Sequence, residues 1–164
     1  MEFLLKQLST NDGCDIYDML QHIGENENEF KNTANGLSYD EYKNWLIEQD
    51  DWSNGHNLPV GYVPQTIFWL MADGIPVGIG KVRHSLNDHS RTIGGNLGYA
   101  IDSRYRGRGY ATKLVGMLVE KADEIGVEEK LLTVEKFNYP SKAVIEKNGG
   151  TVFYENEQRW FFHI

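Results

Sequence analysis

Hydrophobic positions along this chain change their spacing in blocks, and each block predicts an element. EFLLKQL at residues 2–8 predicts a first strand, and Ile16, Met19, Leu20 and Ile23 recur at helical spacing over the segment from Asp15 to Ile23. Ser38 precedes YDEYKNWLIE with Glu41 three residues further on, the capping-box pattern that opens a second helix. Residues 51–64, DWSNGHNLPVGYVP, have the Gly, Pro and Asn content of a loop. From Gln65 the period shortens to that of strands. QTIFWLMADGIPVGIGKVRH predicts a hairpin turning at Asp73 and Gly74. TIGGNLGYAI predicts a further strand, in which Gly94, Gly95 and Gly98 mark a bulge or a close backbone approach.

The strongest periodicity lies over Ala111, Leu114, Val115, Leu118, Ala122 and Ile125, at offsets of 0, 3, 4, 7, 11 and 14, with Gly126 as the terminator. EKLLTVE then predicts a strand, YPSKAVIEKNGG a short helix with Pro140 near its first turn, and TVFYENEQRWFFHI a closing hairpin. No repeat or low-complexity linker interrupts this order. Residues 1–164 are therefore expected to form one domain built on a mixed α/β sheet.

Composition narrows the class. Hydrophobic residues make up 40% and charged residues 24%, the profile of a soluble globular protein. The apolar runs are too short to span a membrane. MEFLLKQLST lacks the basic start and long apolar core of a signal peptide, so a cytoplasmic location is expected. Cys14 is the lone cysteine, which excludes an internal disulfide or a cysteine metal cluster, and it reads as a small semi-buried residue.

The net charge of −8 is unevenly placed. Residues 1–60 hold 12 acidic and 3 basic side chains, against 12 acidic and 13 basic in residues 61–164. The acidic excess argues against general nucleic-acid binding and permits a cationic acceptor. The stretches GENENEF and EQDD otherwise read as solvated faces.

Between the glycine-interrupted strand and the long helix stands RYRGRG, residues 104–109. A strand running into a helix through such a loop aims the first-turn N–H groups and the positive end of the helix dipole at the loop, which makes an anion site. Gly107 and Gly109 let a phosphate approach the backbone, and Arg104, Arg106 and Arg108 add charge. Two familiar phosphate loops do not fit. A Walker loop ends in Gly-Lys-Ser/Thr, whereas Tyr110 and Ala111 follow here, and the third glycine of a dinucleotide fingerprint is replaced by Thr112.

Arg104, Gly107 and Gly109 resemble the R/Q-x-x-G-x-G/A signature of the GNAT superfamily of N-acetyltransferases, and Asn138, Ser141 and Gly149 repeat that family's downstream spacing. The similarity covers roughly residues 66–164. It implies a GNAT fold of the α/β (α+β) class, with a mixed, mostly antiparallel central sheet of six to seven strands flanked by about four helices. It also implies acetyl-CoA as co-substrate, with no metal. By the same resemblance, the backbone of Tyr99, Ala100 and Ile101 pairs with the pantetheine arm. The amides from Arg106 through Gly107, Arg108, Gly109 and Tyr110 to Ala111 hold the pyrophosphate, Asn138 touches the pantetheine or the departing thiol, and Ser141 also contacts the cofactor.

The activity so implied is direct attack of a primary amine on acetyl-CoA in a ternary complex, with a small-molecule amine favoured. A backbone N–H near Leu97 to Tyr99, on a bulged strand, would polarise the thioester carbonyl. The tyrosine that many relatives carry seven residues after the asparagine is Ile145 here. That leaves Tyr139, Tyr154 or water to protonate the thiolate. His84, Glu135 or a chain of waters could serve as base. A non-catalytic acyl-CoA sensor and a phosphate-binding interaction domain are the competing readings. The expected partners are acetyl-CoA and an amine acceptor, with neither nucleic acid nor membrane, and with homodimer formation left open.

Overall fold

The computed structural model describes residues 1–164 and contains nine strands and five helices. In chain order these are β1 (Phe3–Gln7), α1 (Cys14–Gln21), β2 (Asn26–Glu27), β3 (Phe30–Lys31), α2 (Tyr39–Ser53), β4 (Gln65–Ala72), β5 (Ile75–Arg83), α3 (Asp88–Thr92), β6 (Leu97–Ile101), α4 (Tyr110–Ile125), β7 (Leu131–Glu135), α5 (Tyr139–Lys147), β8 (Thr151–Glu155) and β9 (Arg159–His163). A 3₁₀ turn over Ser103–Tyr105 lies between β6 and α4.

The strands form two antiparallel sheets. One has the order β1-β4-β5-β6, the other β7-β9-β8, and β2 and β3 make a separate two-stranded ribbon. The predicted central sheet of six to seven strands is thus seven strands in two portions, with its break between β6 and β7. Two predicted features shift. The strand expected over TIGGNLGYAI begins only at Leu97, because Gly94 and Gly95 both adopt positive φ and turn the chain before it. The β5–β6 register is unbroken from Gly78↔Ile101 to Val82↔Leu97, so the bulge lies elsewhere, between Leu70 and Met71 of β4. The ribbon and α3 were not predicted. Both are too short to show a period.

Local chemistry fixes the ends of the long elements. Ser38 and Glu41 form the reciprocal capping box that starts α2. Asp73 and Gly74, at φ 48° and 78°, supply the two left-handed residues of a tight hairpin turn. Glycines at φ 77° and 93° bracket α4. Each face of the β1-β4-β5-β6 sheet carries its own core. Leu114, Leu118 and Ala122 of α4 pack with Phe68, Leu70 and Val82 on one side. Met19 and Leu20 of α1 and Tyr42, Trp45 and Leu46 of α2 pack with Trp69 and Ile79 on the other. The Trp69 indole donates to buried Asp12 at 2.8 Å, and Asp12 also meets Lys6, so this carboxylate beneath the second core is satisfied. Cys14 opens α1 and is exposed, not semi-buried. No helix is long and apolar enough to cross a membrane.

Candidate active site

The break in the sheet is built at a single junction. Asn96 N–H donates to the Leu131 carbonyl (2.9 Å), Leu131 N–H donates back to Asn96 Oδ1 (2.7 Å), and Gly94 N–H donates to Thr133 Oγ1 (2.6 Å). Gly95 packs so closely here that a Cβ would overlap the Leu131 carbonyl. Beyond this point no ladder joins β6 to β7. On its other edge β6 is held by β5, with Arg83 N–H on the Asn96 carbonyl (2.8 Å) and Asp102 N–H on the Val77 carbonyl (3.0 Å). Antiparallel alternation then turns the backbone groups of Gly98 and Ala100 toward β5 and leaves those of Leu97, Tyr99 and Ile101 facing the gap. Of the three residues expected to offer backbone to a pantetheine arm, two are so oriented. Ala100 is committed to β5 and to the second core.

At the open end of the gap lies the basic loop. Gly107 and Gly109 sit at φ 74° and 77°, and nothing lies within 4 Å of where a Cβ would stand on either. Gly109 is the N-cap of α4 and supplies no side-chain cap, so the first-turn amides have no side-chain capping partner. The first bond back into the helix is Lys113 N–H to the Gly109 carbonyl, at 3.3 Å. The result is an uncapped helix start over two bare glycines, a concavity suited to phosphate. The arginines divide by role. Arg104 is clamped to buried Asp102 and to Asp18, and these carboxylates raise its pKa. Arg106 reaches Glu27 (3.1 Å) and the Ile101 carbonyl (3.1 Å). Arg108 has no carboxylate partner and lies 5.4 Å from the centre of the Tyr105 ring.

Across the gap, Asn138 caps α5 by accepting from Ser141 N–H at 3.2 Å. The Ser141 hydroxyl meets the Tyr99 phenol, a contact from β6 to the first turn of α5. Burial pushes the phenol up to about 12, so it keeps its proton at neutral pH. Ile145 is fully buried in the core beneath. Tyr139 is exposed and edges onto Trp160, and Tyr154 is exposed on the outer strand β8. Through Ser141 the Tyr99 hydroxyl is tied to the α5 N-terminus that Asn138 caps, a role for its side chain that no pattern in the sequence signals.

The opposite side of the gap is strapped by the β2–β3 ribbon. Phe30 lies beneath Gly98, Glu27 holds Arg106, and Glu29 forms an ion pair with Arg159 of β9 (Nε to Oε1, 3.1 Å). The neighbouring Glu29 carboxylate first, and burial second, raise the pKa of Glu135. His84 lies past the end of β5. Its Nε2 meets Thr66 Oγ1 at 2.7 Å, Thr66 in turn meets Ser53, and burial lowers the imidazole pKa. Its ring is thus bonded to β4, not to β6.

The Acetyltransferase (GNAT) domain family model matches residues 3–151. The chain belongs to the GNAT acetyltransferase family. Solved GNAT structures superpose over nearly the whole chain. One is an acetyltransferase from Streptococcus pneumoniae (19% identity, TM-score 0.64, 99% of this chain and 98% of that one). Another is the Campylobacter jejuni N-acetyltransferase PseH in complex with acetyl coenzyme A (12%, 0.64, 99% and 98%). A third is the ribosomal-protein-S5-alanine acetyltransferase from Vibrio fischeri (13%, 0.69, 100% and 93%). At these identities they share its fold. No curated protein matches the chain. The split sheet belongs to that fold, and the glycine loop stands at the mouth of its gap.

Proposed function

We propose that residues 1–164 form one cytoplasmic N-acetyltransferase domain that moves the acetyl group of acetyl-CoA to a primary amine of a small molecule, by direct attack in a ternary complex. The observation that carries this reading is the uncapped start of α4 above Gly107 and Gly109, at the mouth of a gap edged by unpaired strand backbone. The amides from Arg106 to Ala111 would hold the pyrophosphate, with Arg108 beside them. Tyr99 and Ile101 would pair with the pantetheine arm, which requires Arg106 to leave the Ile101 carbonyl. An N–H of β6 between Leu97 and Tyr99 would receive the developing oxyanion.

Asn138 and Ser141 would border the thiol at the α5 N-terminus, where the helix dipole favours a thiolate. We assign the proton for that thiolate to the Tyr99–Ser141 hydroxyl pair, since Ile145 carries none. The amine loses its proton to His84 or to a chain of waters. His84, held neutral by burial, suits a base at pH 7 if water bridges it to the amine.

Thiol release from acetyl-CoA with a panel of polyamines, amino acids, aminoglycosides and peptides tests the activity. CoA binding without amine-dependent release across the panel would instead favour an acyl-CoA sensor, the reading that Ile145 supports. Gly107→Trp fills the open space above the loop and is expected to abolish CoA binding while leaving the circular dichroism spectrum unchanged. Unaltered affinity would defeat the cradle. Tyr99→Phe is expected to lower kcat about 10- to 100-fold with little change in the KM for acetyl-CoA. An unchanged kcat would remove Tyr99 from the reaction.

A further inference from the structure

Four of the six arginines are held by carboxylates: Arg91 by Glu129, Arg104 by Asp18 and Asp102, Arg106 by Glu27, and Arg159 by Glu29. The two without such a partner are Arg108, in the phosphate loop, and Arg83, at the end of β5. In a chain of net charge −8, a half-buried guanidinium without a counter-ion calls for an explanation. Arg83 donates from one nitrogen, Nη1, to the Gly95 carbonyl (2.8 Å) and forms no ion pair.

Lys81 stands two residues earlier on the same strand face. A Cβ on Gly78 or Gly80 would meet Leu114 or Leu118 of α4, so the alternate residues Ile79, Lys81 and Arg83 lie on the opposite face, the side of the ribbon and α1. Lys81 Nζ donates to the Lys31 carbonyl at 2.6 Å, lies 4.6 Å from the Phe30 ring centre, and forms no ion pair. The charges acting on it are Arg83 and Lys31, both cationic. With burial as the larger cause, they bring its pKa down to about 7.

These cations do not belong to the pyrophosphate cradle. Arg83 partners Asn96 and Lys81 partners Gly98, at the closed end of the gap. Arg83 is thus about 17 Å along β6 from Ile101, where the strand turns into the signature loop. They also line the sheet face opposite α4. Lys81 lies beside the stretch of β6 from Leu97 to Tyr99, where the thioester carbonyl is placed by the function proposed above.

We propose that Lys81 and Arg83 form an oxyanion subsite for the acceptor, so that the amine acetylated by this chain carries a carboxylate or phosphate group a few bonds from its nitrogen. The subsite rests on the acetyltransferase reading. It explains why these cations are left uncompensated while the acidic side chains nearby are spent on other arginines. An anionic acceptor would donate nothing to Lys81 and accept from it and from Arg83, leaving its amine to reach across Gly98 toward the carbonyl.

Two matched pairs of probes test this: leucine against leucinamide for a carboxylate, and phosphoethanolamine against ethanolamine for a phosphate. In thiol-release assays the anionic member of one pair is expected to show about tenfold or higher kcat/KM, carried by KM. Arg83→Gln should cut that preference to about twofold while leaving CoA affinity unchanged. Preference for the neutral members, or a preference that survives Arg83→Gln, overturns the subsite and leaves the acetyltransferase intact.

A second measurement needs no turnover. Trace acetic anhydride labelling, read by mass spectrometry, should show Lys81 more reactive at pH 7.5 than the exposed lysines. The favoured anionic probe should suppress that reactivity severalfold, the neutral partner should not, and Arg83→Gln should abolish the protection. Equal protection by both members, or by neither, overturns the proposal. Protection by the anion without any amine-dependent thiol release would keep the subsite and defeat the acetyltransferase.

Discussion

Lys81 places an amine among two other cations, with no carboxylate in reach. An arrangement of that kind is a cost to the fold as well as a resource for binding. Its folded pKa of about 7 lies below the unfolded value of 10.5, so between those values the unfolded chain holds a proton that the folded chain lacks. Stability from this residue therefore rises with pH across that window, and the penalty is complete below about pH 7. Lys81→Met is expected to raise Tm at pH 6 and to lose most of that gain by pH 9.5, as read by scanning calorimetry. A gain independent of pH would mean that packing, not charge, is responsible.

At this scale the sequence was partly legible. Arg104, Gly107 and Gly109 could be picked out because glycine and arginine leave a readable pattern. Lys81 and the side chain of Tyr99 could not, because a lysine in VGIGKVRH or a phenol in LGYAI acquires its chemistry only from Phe30, Lys31 and Ser141, brought from elsewhere in the chain. Ile145 was recognised as the missing tyrosine. That its place is filled with core could be read only from its burial.

Among the elements, those with a long period or a strong cap were readable in advance. α4 spans the offsets that predicted it, and α2 begins at the expected capping box. Ser38→Ala removes one of the two reciprocal bonds and is expected to cost about 1 kcal/mol, lowering Tm by roughly 2–4 °C. The β2–β3 ribbon left little trace because its two-residue strands have no period. Its turn also places Asn28 and Glu29 at φ 50° and 70°, where glutamate is unusual. Glu29 is held there by Arg159, 130 residues away.

The glycines before β6 were read as a bulge or a close approach, and at Gly95 the close approach is what occurs. Gly95→Ala combines a left-handed φ with overlap on Leu131. It is expected to destabilise the protein by more than about 3 kcal/mol in urea titration and to abolish CoA binding, because it parts β6 from β7 at their one junction. Retained CoA affinity in a stably folded Gly95→Ala variant would show that the junction does not set the gap.

Across the whole molecule, the uneven charge along the sequence turns into connections. Asp18, Glu27 and Glu29 of the acidic segment meet Arg104, Arg106 and Arg159 of the basic one, so two of these pairs moor the signature loop to the N-terminal third. Three of the twelve acidic side chains in residues 1–60 are thus counter-ions to the basic segment, which pattern alone could not distinguish from a solvated face. Under the proposed function, Arg106 would be shared between Glu27 and an incoming phosphate. Glu27→Gln is therefore expected to tighten CoA binding by up to about fivefold at low salt, with the gain fading at 0.5 M salt, measured by titration calorimetry. Weaker binding at every ionic strength would mean that Glu27 orders the loop in place of competing for it.

The division of the sheet is also a division of the chain. Every strand of β1-β4-β5-β6 comes from residues 3–101, and every strand of β7-β9-β8 from residues 131–163, with α4 and a short connection between them. A backbone cut in the connection from Gly126 to Lys130 would leave each sheet whole within one fragment. The two pieces should then reassemble when mixed, and a ligand spanning both should act as their glue. Adding CoA is expected to lower the concentration at which the fragments recover a folded spectrum, by mass action on the assembled form alone.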